Sequence, residues 1–356
     1  MNIKWLSCVE KGCGIGEYSD QMVVELLHQN QTSTLYRKGT PSTYAIDYPH
    51  RSLRGLKDYI APYYLYKQLK KIDSEDTILH ADNIDAFTAI HWSQKKTKIK
   101  CVTIHDVIPL IYPQKNQWQR RYYNYQLKNS ILHSDQIFTV SHYSKNDLIA
   151  KTGVNEKKVK VIYNGINHDQ LKPVKNKKEN ERFTIRYIGG LGAVHKNATA
   201  LIEVAKILEE KNIDFLMQIG SGNAALTPLP SLVEKYNLKN IEFVGYVKDE
   251  DKASFLGQAD CFLFTSLYEG FGFPPLEAMA CGTPVVSSNA ASLNEVLHDA
   301  ALLTSASPVD LANNIIRLIE SKDLQKELVE KGIERASHFT WENSVKTLRE
   351  NYDSIL

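Results

Sequence analysis

Two glutamates flank a stretch rich in glycine and proline, and their type and spacing could do chemistry. Residues 267–286 read LYEGFGFPPLEAMACGTPVV, in which Glu269 and Glu277 stand on either side of GFGFPPL. Paired carboxylates can act as general acid and general base. Carboxylates also accept hydrogen bonds from hydroxyl groups, so the same pair could instead hold a ligand rich in hydroxyls. The elements around the pair decide between these two interpretations.

The local pattern places this stretch at the carboxyl end of a strand. CFLFTS is predicted to be a buried strand, EGFGF a loop, and PPLEAMAC a helix that Gly282 terminates. In open α/β sheets, ligands bind at the carboxyl ends of the strands. Gly270 and Gly272 would let backbone N–H groups approach a ligand, and a helix start near Pro275 would suit a phosphate.

Each glutamate then has its own predicted role. Glu269, at the strand end, would accept hydrogen bonds from sugar hydroxyls, and Glu277, in the first helical turn, would hold a ribose diol. A second loop, GGLGAVHKN, follows its strand in the same way and places Lys196 at the start of the next helix, where it could meet a diphosphate. From the residues alone, Glu277 could equally be a plain first-turn glutamate and Lys196 a solvent-exposed lysine.

Two similar openings predict two domains in tandem. IKWLSCVEKGCGIGEYSDQMVVELL and FTIRYIGGLGAVHKNATALIEVAKIL each combine an apolar strand, a glycine-rich loop and an amphipathic helix, as a doubly wound α/β domain does at its start. Strand-length apolar runs follow both openings: DTILHAD, KIKCVTIHDV, QIFTVS, then FLMQIGSG, IEFVGYV, CFLFTS, PVVSSN. The predicted domains are residues 1–170 and 171–339, with a lysine-rich linker at 172–183. A C-terminal amphipathic helix presents Trp341, Val345, Leu348 and Tyr352 at helical spacing.

Composition is typical of a globular chain. Hydrophobic residues make up 43% of the 356 residues and charged residues 24%. Apolar runs of about 18 residues are absent, and the N-terminal apolar run is too short for a signal peptide. The five cysteines are an odd number, which favours reduced thiols in a cytosolic protein. Their spacing includes no CxxC pair that would indicate a metal site.

Charge is distributed unevenly along the chain. The net charge is +2, yet residues 1–170 carry 23 Lys and Arg against 16 Asp and Glu, whereas the remainder carries 20 against 25. The basic first half could favour an anionic partner such as a nucleic acid, a phosphate-bearing substrate or a membrane surface, or could be an evenly solvated surface. Residues 51–71 are predicted to form a core-facing helix rather than a membrane-surface helix, interrupted by Pro62.

The first half offers histidines and glycines as candidates. KCVTIHDVIP places His105 and Asp106 at a strand's carboxyl end, and His80 ends another strand. Of the three, His105 is the preferred functional residue. GCGIGEYS contains Gly14 and Gly16, whose spacing is a weak sign of a dinucleotide loop.

An NAD-dependent oxidoreductase is the alternative that this glycine loop raises. Such an enzyme needs an acidic residue about 20 positions past the glycines. TSTLYRKGT has Arg37 and Lys38 there, which counts against this alternative.

The string from Glu269 to Val285 resembles the signature of the retaining glycosyltransferases of family four, which have the GT-B fold of two Rossmann-like domains facing a cleft. GGLGAVHKN, QIGSGN, FVGYVKDED, VSHYSKNDL and YNGIN resemble other segments of that family in order and spacing. FTWENSVKTLRENY resembles its C-terminal helix, which crosses back onto the first domain at about residues 340–356. One departure is His195, where the family usually has arginine, so diphosphate binding would depend more on Lys196 and the helix N-terminus.

The resemblance implies transfer of a hexosyl group, with retention, from a UDP- or GDP-sugar to a glycan or lipid-linked saccharide in polysaccharide synthesis. His105 and Glu269 would act at the donor sugar, Lys196 at the diphosphate, Glu277 at the ribose and the backbone near Val247 at the base. The backbone of six further residues would complete the donor site: Gly14, Gly16, Gly190, Gly270, Phe271 and Gly272.

The same resemblance implies no cofactor, no metal and no nucleic-acid partner. Asp249, Glu250 and Asp251 are interpreted as a helix cap rather than a metal motif. The expected location is cytoplasmic, with peripheral contact to an anionic inner membrane face. A non-catalytic subunit that binds nucleotide-sugars is the remaining alternative.

Overall fold

The computed structural model describes residues 1–9, 14–29, 32–36, 57–71, 74–113, 116–175, 177 and 179–356. The chain forms two compact units, of which the first comprises Met1–Gly165 with Trp341–Leu356 and the second Ile166–Thr340. Within the described ranges, each unit is built on one parallel sheet of six strands. The predicted α/β class with two Rossmann-like parallel sheets is therefore confirmed.

The sheet of the first unit has the strand order β2-β1-β3-β4-β5-β6, and its neighbouring strands are all parallel. Its strands are β1 (Asn2–Leu6), β2 (Thr32–Tyr36), β3 (Ile78–Ala81), β4 (Ile99–Thr103), β5 (Gln136–Thr139) and β6 (Val159–Val161). The order changes direction at β1, which lies between β2 and β3. Such a switch opens a crevice at the carboxyl edge, where doubly wound sheets bind ligands.

Seven helices of the first unit lie within the described residues. They are α1 (Gly14–His28), α2 (Lys57–Leu69), α3 (Ile84–Ser93), α4 (Ile108–Ile111), α5 (Gln117–His133), α6 (His142–Thr152) and α14 (Trp341–Asp353).

Helix α2 buries Ala61, Leu65 and Leu69 in the core cluster, which confirms that it faces the core. The expected interruption at Pro62 is wrong, because this proline lies inside the helix. Core packing outweighs the one backbone hydrogen bond that a proline removes. Residues 51–56 of the predicted helix lie outside the described residues.

The sheet of the second unit has the order β12-β11-β10-β7-β8-β9, and is also parallel. Its strands are β7 (Phe183–Ile188), β8 (Phe215–Gly220), β9 (Ile241–Gly245), β10 (Cys261–Phe264), β11 (Val285–Ser288) and β12 (Leu302–Thr304). Counted from its own first strand, this order is the one that dinucleotide-binding sheets use. The switch point lies between β7 and β10, so the loops that follow these two strands border one crevice.

The helices of the second unit are α7 (Thr199–Glu210), α8 (Leu229–Lys235), α9 (Asp249–Gly257), α10 (Phe273–Ala280), α11 (Leu293–Leu297), α12 (Pro308–Glu320) and α13 (Lys322–Ser337).

The lysine-rich segment before β7 also belongs to this unit. Its Lys177 ammonium donates to the carbonyl of Ala259, and the Asn180 amide donates to a carboxylate oxygen of Asp260 at 2.8 Å. Part of this segment therefore packs on the α9–β10 connection instead of running free through solvent.

The C-terminal helix α14 packs on the first unit. Val345, Leu348 and Tyr352 are fully buried, as the apolar spacing predicts. The Arg349 guanidinium donates to the side-chain oxygen of Gln29 at 3.0 Å and so ties α14 to the end of α1. The last turns of the chain thus complete the core of the unit that begins it.

Candidate functional site

Two of the charged residues that the sequence singles out in the second unit, Lys196 and Glu269, are in direct contact. The Lys196 ammonium donates to both carboxylate oxygens of Glu269, at 2.7 and 3.0 Å. Lys196 follows β7 and Glu269 follows β10, so the pair stands at the switch point of the sheet. An ammonium has three N–H donors, and Glu269 takes two of them. The Lys196 ammonium, which could bind an anionic group, and the Glu269 carboxylate, which could accept from hydroxyls, are therefore directly hydrogen-bonded to each other.

Hydrogen bonds from residues just after β10 fix the position of Lys196. This residue ends a short 3-10 turn, Val194–Lys196, and does not start helix α7 as predicted. The Thr265 hydroxyl lies 3.1 Å from the Lys196 carbonyl and 3.1 Å from the Asn197 carbonyl, and donates between them. The Leu267 N–H donates to the His195 carbonyl at 2.7 Å. These bonds hold the lysine against the neighbouring strand before any ligand arrives.

Serine hydroxyls hold the loop that carries Glu269. Ser266 donates to a Glu269 carboxylate oxygen at 2.6 Å. The Ser292 hydroxyl reaches two carbonyls of the same loop, those of Glu269 at 2.8 Å and Phe271 at 3.1 Å. Sequence reasoning missed both serines. The Ser-x-x-Glu spacing of Ser266 and Glu269 matches a capping box and could have revealed one of them, whereas Ser292 is a long-range contact with no local signal.

The start of helix α10 differs from the prediction. The helix begins at Phe273 and not near Pro275, with Gly272 as its N-cap at φ 102°. A Cβ at Gly272 would also lie 2.6 Å from a Leu293 methyl group, so two separate constraints demand glycine there. Pro274 and Pro275 have no N–H, which removes two of the four free donors of the helix end. An anion here would therefore depend on the backbone of the preceding loop more than on the helix itself.

Glu277 lies in the second turn of α10, so its predicted place in the first turn is wrong. The two-residue shift of the helix start accounts for the difference. Its carboxylate accepts from Lys252 of helix α9 at 3.2 Å, and Lys252 also lies 3.6 Å from Asp249. Sequence reasoning missed Lys252, because it is 25 residues from Glu277 in the chain. A basic partner thus holds the largely buried Glu277 side chain between two helices.

The remaining predicted donor residues of this unit border the same edge of the sheet. Gly190 follows β7, its carbonyl accepts from the Tyr187 hydroxyl at 3.1 Å, and a Cβ added to it would meet open space. Val247 follows β9 and packs beside Gly220, which ends β8. Phe271 turns its ring into the protein and is buried, so only the backbone of this residue can serve a ligand. The predicted residues therefore follow β7, β9 and β10.

Burial and neighbouring charges shift the pKa values of two side chains beside the pair. Burial lowers the pKa of His195, and the adjacent Lys196 lowers it further, although Glu269 opposes this. Burial raises the pKa of Tyr187, and the Glu269 carboxylate raises it again. Both side chains are consequently neutral near pH 7. His195 does not replace the positive charge of the arginine found in the family at its position.

The first unit places its candidates at the carboxyl edge of its own sheet. His105 follows β4, and its Nε2 lies 2.9 Å from the Asp82 carbonyl, which can only accept. This bond leaves Nδ1 as the acceptor of a neutral ring. Burial lowers the pKa of His105 to about 4, so the ring is uncharged at pH 7. His105 also lines a cavity of about 280 Å³, together with Asp106 and residues of α3 and α5.

The two glycines of the first opening lie in a helix rather than in a loop. Gly14 begins α1 and Gly16 is buried in its first turn, so the predicted loop position of both is wrong. Sequence patterns place helix starts only to within a few residues. Gly12 lies outside the described residues.

His80 is a core residue. It is fully buried and stacks on Trp5 at 4.0 Å between ring centroids. Its ring nitrogens meet the hydroxyls of Tyr352 and Thr103. Burial lowers its pKa to about 3, and His105 adds to that shift. Its contacts tie helix α14 to the sheet, and none of them is available to a ligand.

Acidic groups form no metal cluster among the described residues: no set of three His, Cys, Asp or Glu side chains could hold an ion there. Asp249, Glu250 and Asp251 occupy the first turn of α9, as predicted for a helix start. The N-cap itself is Lys248, and no side chain caps this end, so the interpretation of these acids as a cap is wrong. Their negative charge still favours the positive end of the helix.

Comparison with known proteins identifies the family. The model described as "Glycosyltransferase Family 4" matches residues 17–170, and the model described as "Glycosyl transferases group 1" matches residues 168–335. The chain belongs to the family-four glycosyltransferases. Arg37 and Lys38, on which the choice against an oxidoreductase depended, lie outside the described residues, and family membership now removes that alternative.

Individual relatives agree with this assignment. The glycosyltransferase is 27% identical over 312 residues to O-antigen chain mannosyltransferase B of Escherichia coli, with 84% of this chain and 76% of that protein covered. Sucrose-phosphate synthase from Thermosynechococcus elongatus has a TM-score of 0.82 at 20% identity and covers 100% and 99% of the two chains. HepE of Anabaena, in complex with UDP-glucose, has a TM-score of 0.79 at 17% identity and covers 99% and 100%. The two structural likenesses confirm the GT-B fold.

The glycosyltransferase has four cysteines among its described residues, and all four are free thiols. Three of them, Cys101, Cys261 and Cys281, are buried, as their apolar surroundings predict. Among the described residues, no helix is both long enough and apolar enough to span a membrane.

Proposed function

We propose that this glycosyltransferase moves a hexosyl group from a nucleoside-diphosphate-sugar to a saccharide or lipid-linked saccharide during glycan synthesis, with retention of anomeric configuration. The observation that carries the proposal is the Lys196–Glu269 pair at the switch point of the second sheet. A donor of this class has a diphosphate directly attached to a sugar. Its charged group and its hydroxyls therefore need a cation and a carboxylate at adjacent positions.

The rest of the donor follows the carboxyl edge of that sheet. The open space beside Gly190 and the backbone of the Glu269–Gly272 loop would receive the diphosphate and the sugar. Glu277, held by Lys252, would accept the ribose hydroxyls. The base would lie by the backbone near Val247, beyond the ends of β8 and β9. In this orientation the donor extends outward from the switch point.

Retention is proposed to occur on one face of the donor sugar. The acceptor oxygen forms its bond to the anomeric carbon as the bond to the phosphate oxygen breaks, and the acceptor proton passes to the departing phosphate. Glu269 already hydrogen-bonds Lys196 and Ser266, so its role is to position sugar hydroxyls rather than to attack. His105, neutral at pH 7, offers Nδ1 to a hydroxyl. The protein contributes positioning and charge stabilisation.

Metal independence requires the protein alone to balance the charge of the diphosphate, although Glu269 offsets the charge of Lys196 and His195 is neutral. Backbone N–H groups must then stabilise the leaving diphosphate. The deciding assay measures nucleoside diphosphate release from UDP-, GDP- and dTDP-sugars, with and without EDTA. The mannosyl donors come first, because the Escherichia coli relative is a mannosyltransferase.

We expect release from one nucleotide class, unchanged by EDTA and lost in Lys196→Ala. Lys206→Ala is the matched control, because Lys206 lies on the surface of α7 and pairs with Glu210. Nucleotide binding without release or transfer would support the non-catalytic subunit instead. Loss of release with EDTA, restored by a divalent cation, would contradict metal independence.

Peripheral contact with an anionic membrane is proposed for the first unit. Helix α2 exposes Tyr63, and the ammonium of Lys67 lies 4.8 Å from the centre of its ring. Trp118 of α5 is 73% exposed and has the Arg121 guanidinium over its ring. Aromatic and basic side chains together favour anionic lipid headgroups. Co-sedimentation with vesicles containing anionic lipid at low salt tests this contact, and equal recovery with neutral vesicles would contradict it.

A further inference from the structure

Helix α11 packs against the loop Glu269–Gly272, which carries the carboxylate of the site. A Cβ added to Gly272 would lie 2.6 Å from a Leu293 methyl group, so the glycine permits this close approach. At the other end of the helix, the Arg335 guanidinium donates to the carbonyls of two α11 residues, at 2.7 and 2.8 Å. The helix is therefore fixed in place and can support the loop.

Ser292 is the N-cap residue of α11, but its hydroxyl does not cap the helix. A serine at this position usually accepts a hydrogen bond from an N–H group of the first helical turn. Here the hydroxyl lies 2.8 Å from the Glu269 carbonyl and 3.1 Å from the Phe271 carbonyl, and donates between them. The Ser292 side chain therefore serves the loop rather than its own helix.

These hydrogen bonds set the direction of two peptide groups in the loop. In a trans peptide, the C=O and the N–H point in opposite directions. The Glu269 carbonyl shares its peptide group with the N–H of Gly270. The Phe271 carbonyl shares its peptide group with the N–H of Gly272. Because both carbonyls turn toward Ser292, both N–H groups turn away from it.

The side of the loop that faces Ser292 is closed to a ligand, since this serine is fully buried. A ligand must reach the loop from another side, where the two carbonyl oxygens do not point. A carbonyl oxygen carries partial negative charge and repels a phosphate, whereas N–H groups that point the same way form a concave site for anions. The direction of these peptide groups thus suits an anionic ligand.

We infer that Ser292 is a positioning residue for the transfer reaction: it holds the loop so that peptide N–H groups, and not carbonyl oxygens, face the phosphate attached to the donor sugar. Negative charge grows on this phosphate as its bond to the sugar breaks, and dipoles that are already oriented stabilise that charge. The inference rests on the proposed function, and it assigns a role to a side chain that touches neither the donor nor the acceptor.

The test is isothermal titration of the full chain and of Ser292→Ala with the diphosphates and the monophosphates of uridine, guanosine and thymidine. We expect the affinity of the variant for the diphosphate that binds to fall about tenfold, because hydrogen bonds to charged groups are the stronger kind. Affinity for the matching monophosphate should be unchanged, since a monophosphate lacks the phosphate that the loop faces. The turnover number should fall about tenfold, less than the roughly 10²–10³ lost when a donor is removed outright.

Thr283→Val is the matched control. The Thr283 hydroxyl is also buried and donates to a carbonyl of the same unit, that of Leu256 at 2.7 Å. This variant should shift the midpoint of urea denaturation about as much as Ser292→Ala does, and should leave both nucleotide affinities and the turnover number unchanged. If Ser292→Ala fails to fold, Ser292→Cys fills the site with a weaker donor and should show the same selective loss.

Three results would overturn the inference: the variant at Ser292 binds the diphosphate as well as the unmodified protein does, it loses the two nucleotides equally, or Thr283→Val shows the same selective loss. Equal loss would mean that the site is merely loosened. An unmodified protein that binds none of the diphosphates would contradict the proposed function and the inference together. Normal binding and donor cleavage by the unmodified protein, with Ser292→Ala unaffected, would contradict the inference alone.

Discussion

The carboxyl edges of the two sheets carry different side chains. In the second unit, a lysine and a glutamate are already paired at the switch point. In the first unit, the described lining of the cavity contains two carboxylates, a neutral histidine and no lysine or arginine. Both edges arise from the same strand–helix architecture. The difference teaches that a parallel sheet supplies a crevice, whereas the loop residues decide which chemical groups line it.

Removing either charge at the second edge should have the largest effect. We expect Lys196→Ala and Glu269→Ala to lower the turnover number by about 10²–10³, because each removes a preorganised group from the reacting centre. Lys196 is partly exposed and Glu269 lies in a loop, so the fold should survive both substitutions. Turnover numbers and circular dichroism for the two variants and for Lys206→Ala check this. Full activity in both variants would sink the site assignment and remove the contrast between the edges.

Backbone geometry at the second edge should come next. Gly272→Ala is expected to lower the free energy of unfolding by about 1–3 kcal/mol, because residue 272 has φ 102° and a Cβ would press on Leu293. Gly190→Ala is the matched control, since a Cβ there meets open space. It should leave stability unchanged within about 0.5 kcal/mol and raise KM for the donor. Urea denaturation and donor titration separate the two, and equal destabilisation would contradict the constraint.

The neutral histidines of the first unit predict a pH dependence. Burial lowers the pKa of His80 to about 3, so the unfolded chain takes up a proton below about pH 6.5 while the native protein does not. Stability should therefore fall as pH falls from 6.5 toward 3, by up to about 1.4 kcal/mol per unit from this residue. His80→Gln, whose amide can still meet Thr103 and Tyr352, should reduce that slope. Urea denaturation between pH 7 and pH 4 measures it, and identical slopes would refute the role of His80.

The smallest effect is expected at a residue that only supports the second edge. Tyr187→Phe removes the hydroxyl that donates to the Gly190 carbonyl at 3.1 Å. We expect a loss of about 1 kcal/mol in stability and no more than a severalfold change in turnover, because the carbonyl can turn to water. A loss as large as that of Lys196→Ala would mean that Tyr187 itself takes part in the site.

Local patterns accounted for most of the elements that form the two edges. The seven predicted strand runs all contain strands, from β3 to β11. The short strands β6 and β12, at the sheet edges, were not predicted, since three residues give too little alternation to detect. Helix starts were less accurate. The error at α10 moved Glu277 by a turn, because Phe273 and the two prolines fit either side of a helix boundary.

The amino-acid sequence by itself determined the two parallel sheets, the loops that follow their strands, and the assignment of Lys196 and Glu269 to one site. Periodicity, glycine and proline act over a few residues, so they can be recognised without a structure. Only the tertiary structure decided which side chains contact these residues. Lys196 meets Glu269 across 73 residues and Lys252 meets Glu277 across 25, because the strand order brings distant loops together. His80 became a core residue and His105 a cavity residue for the same reason: burial depends on packing between elements, whereas the sequence shows only that each residue lies near the end of a strand.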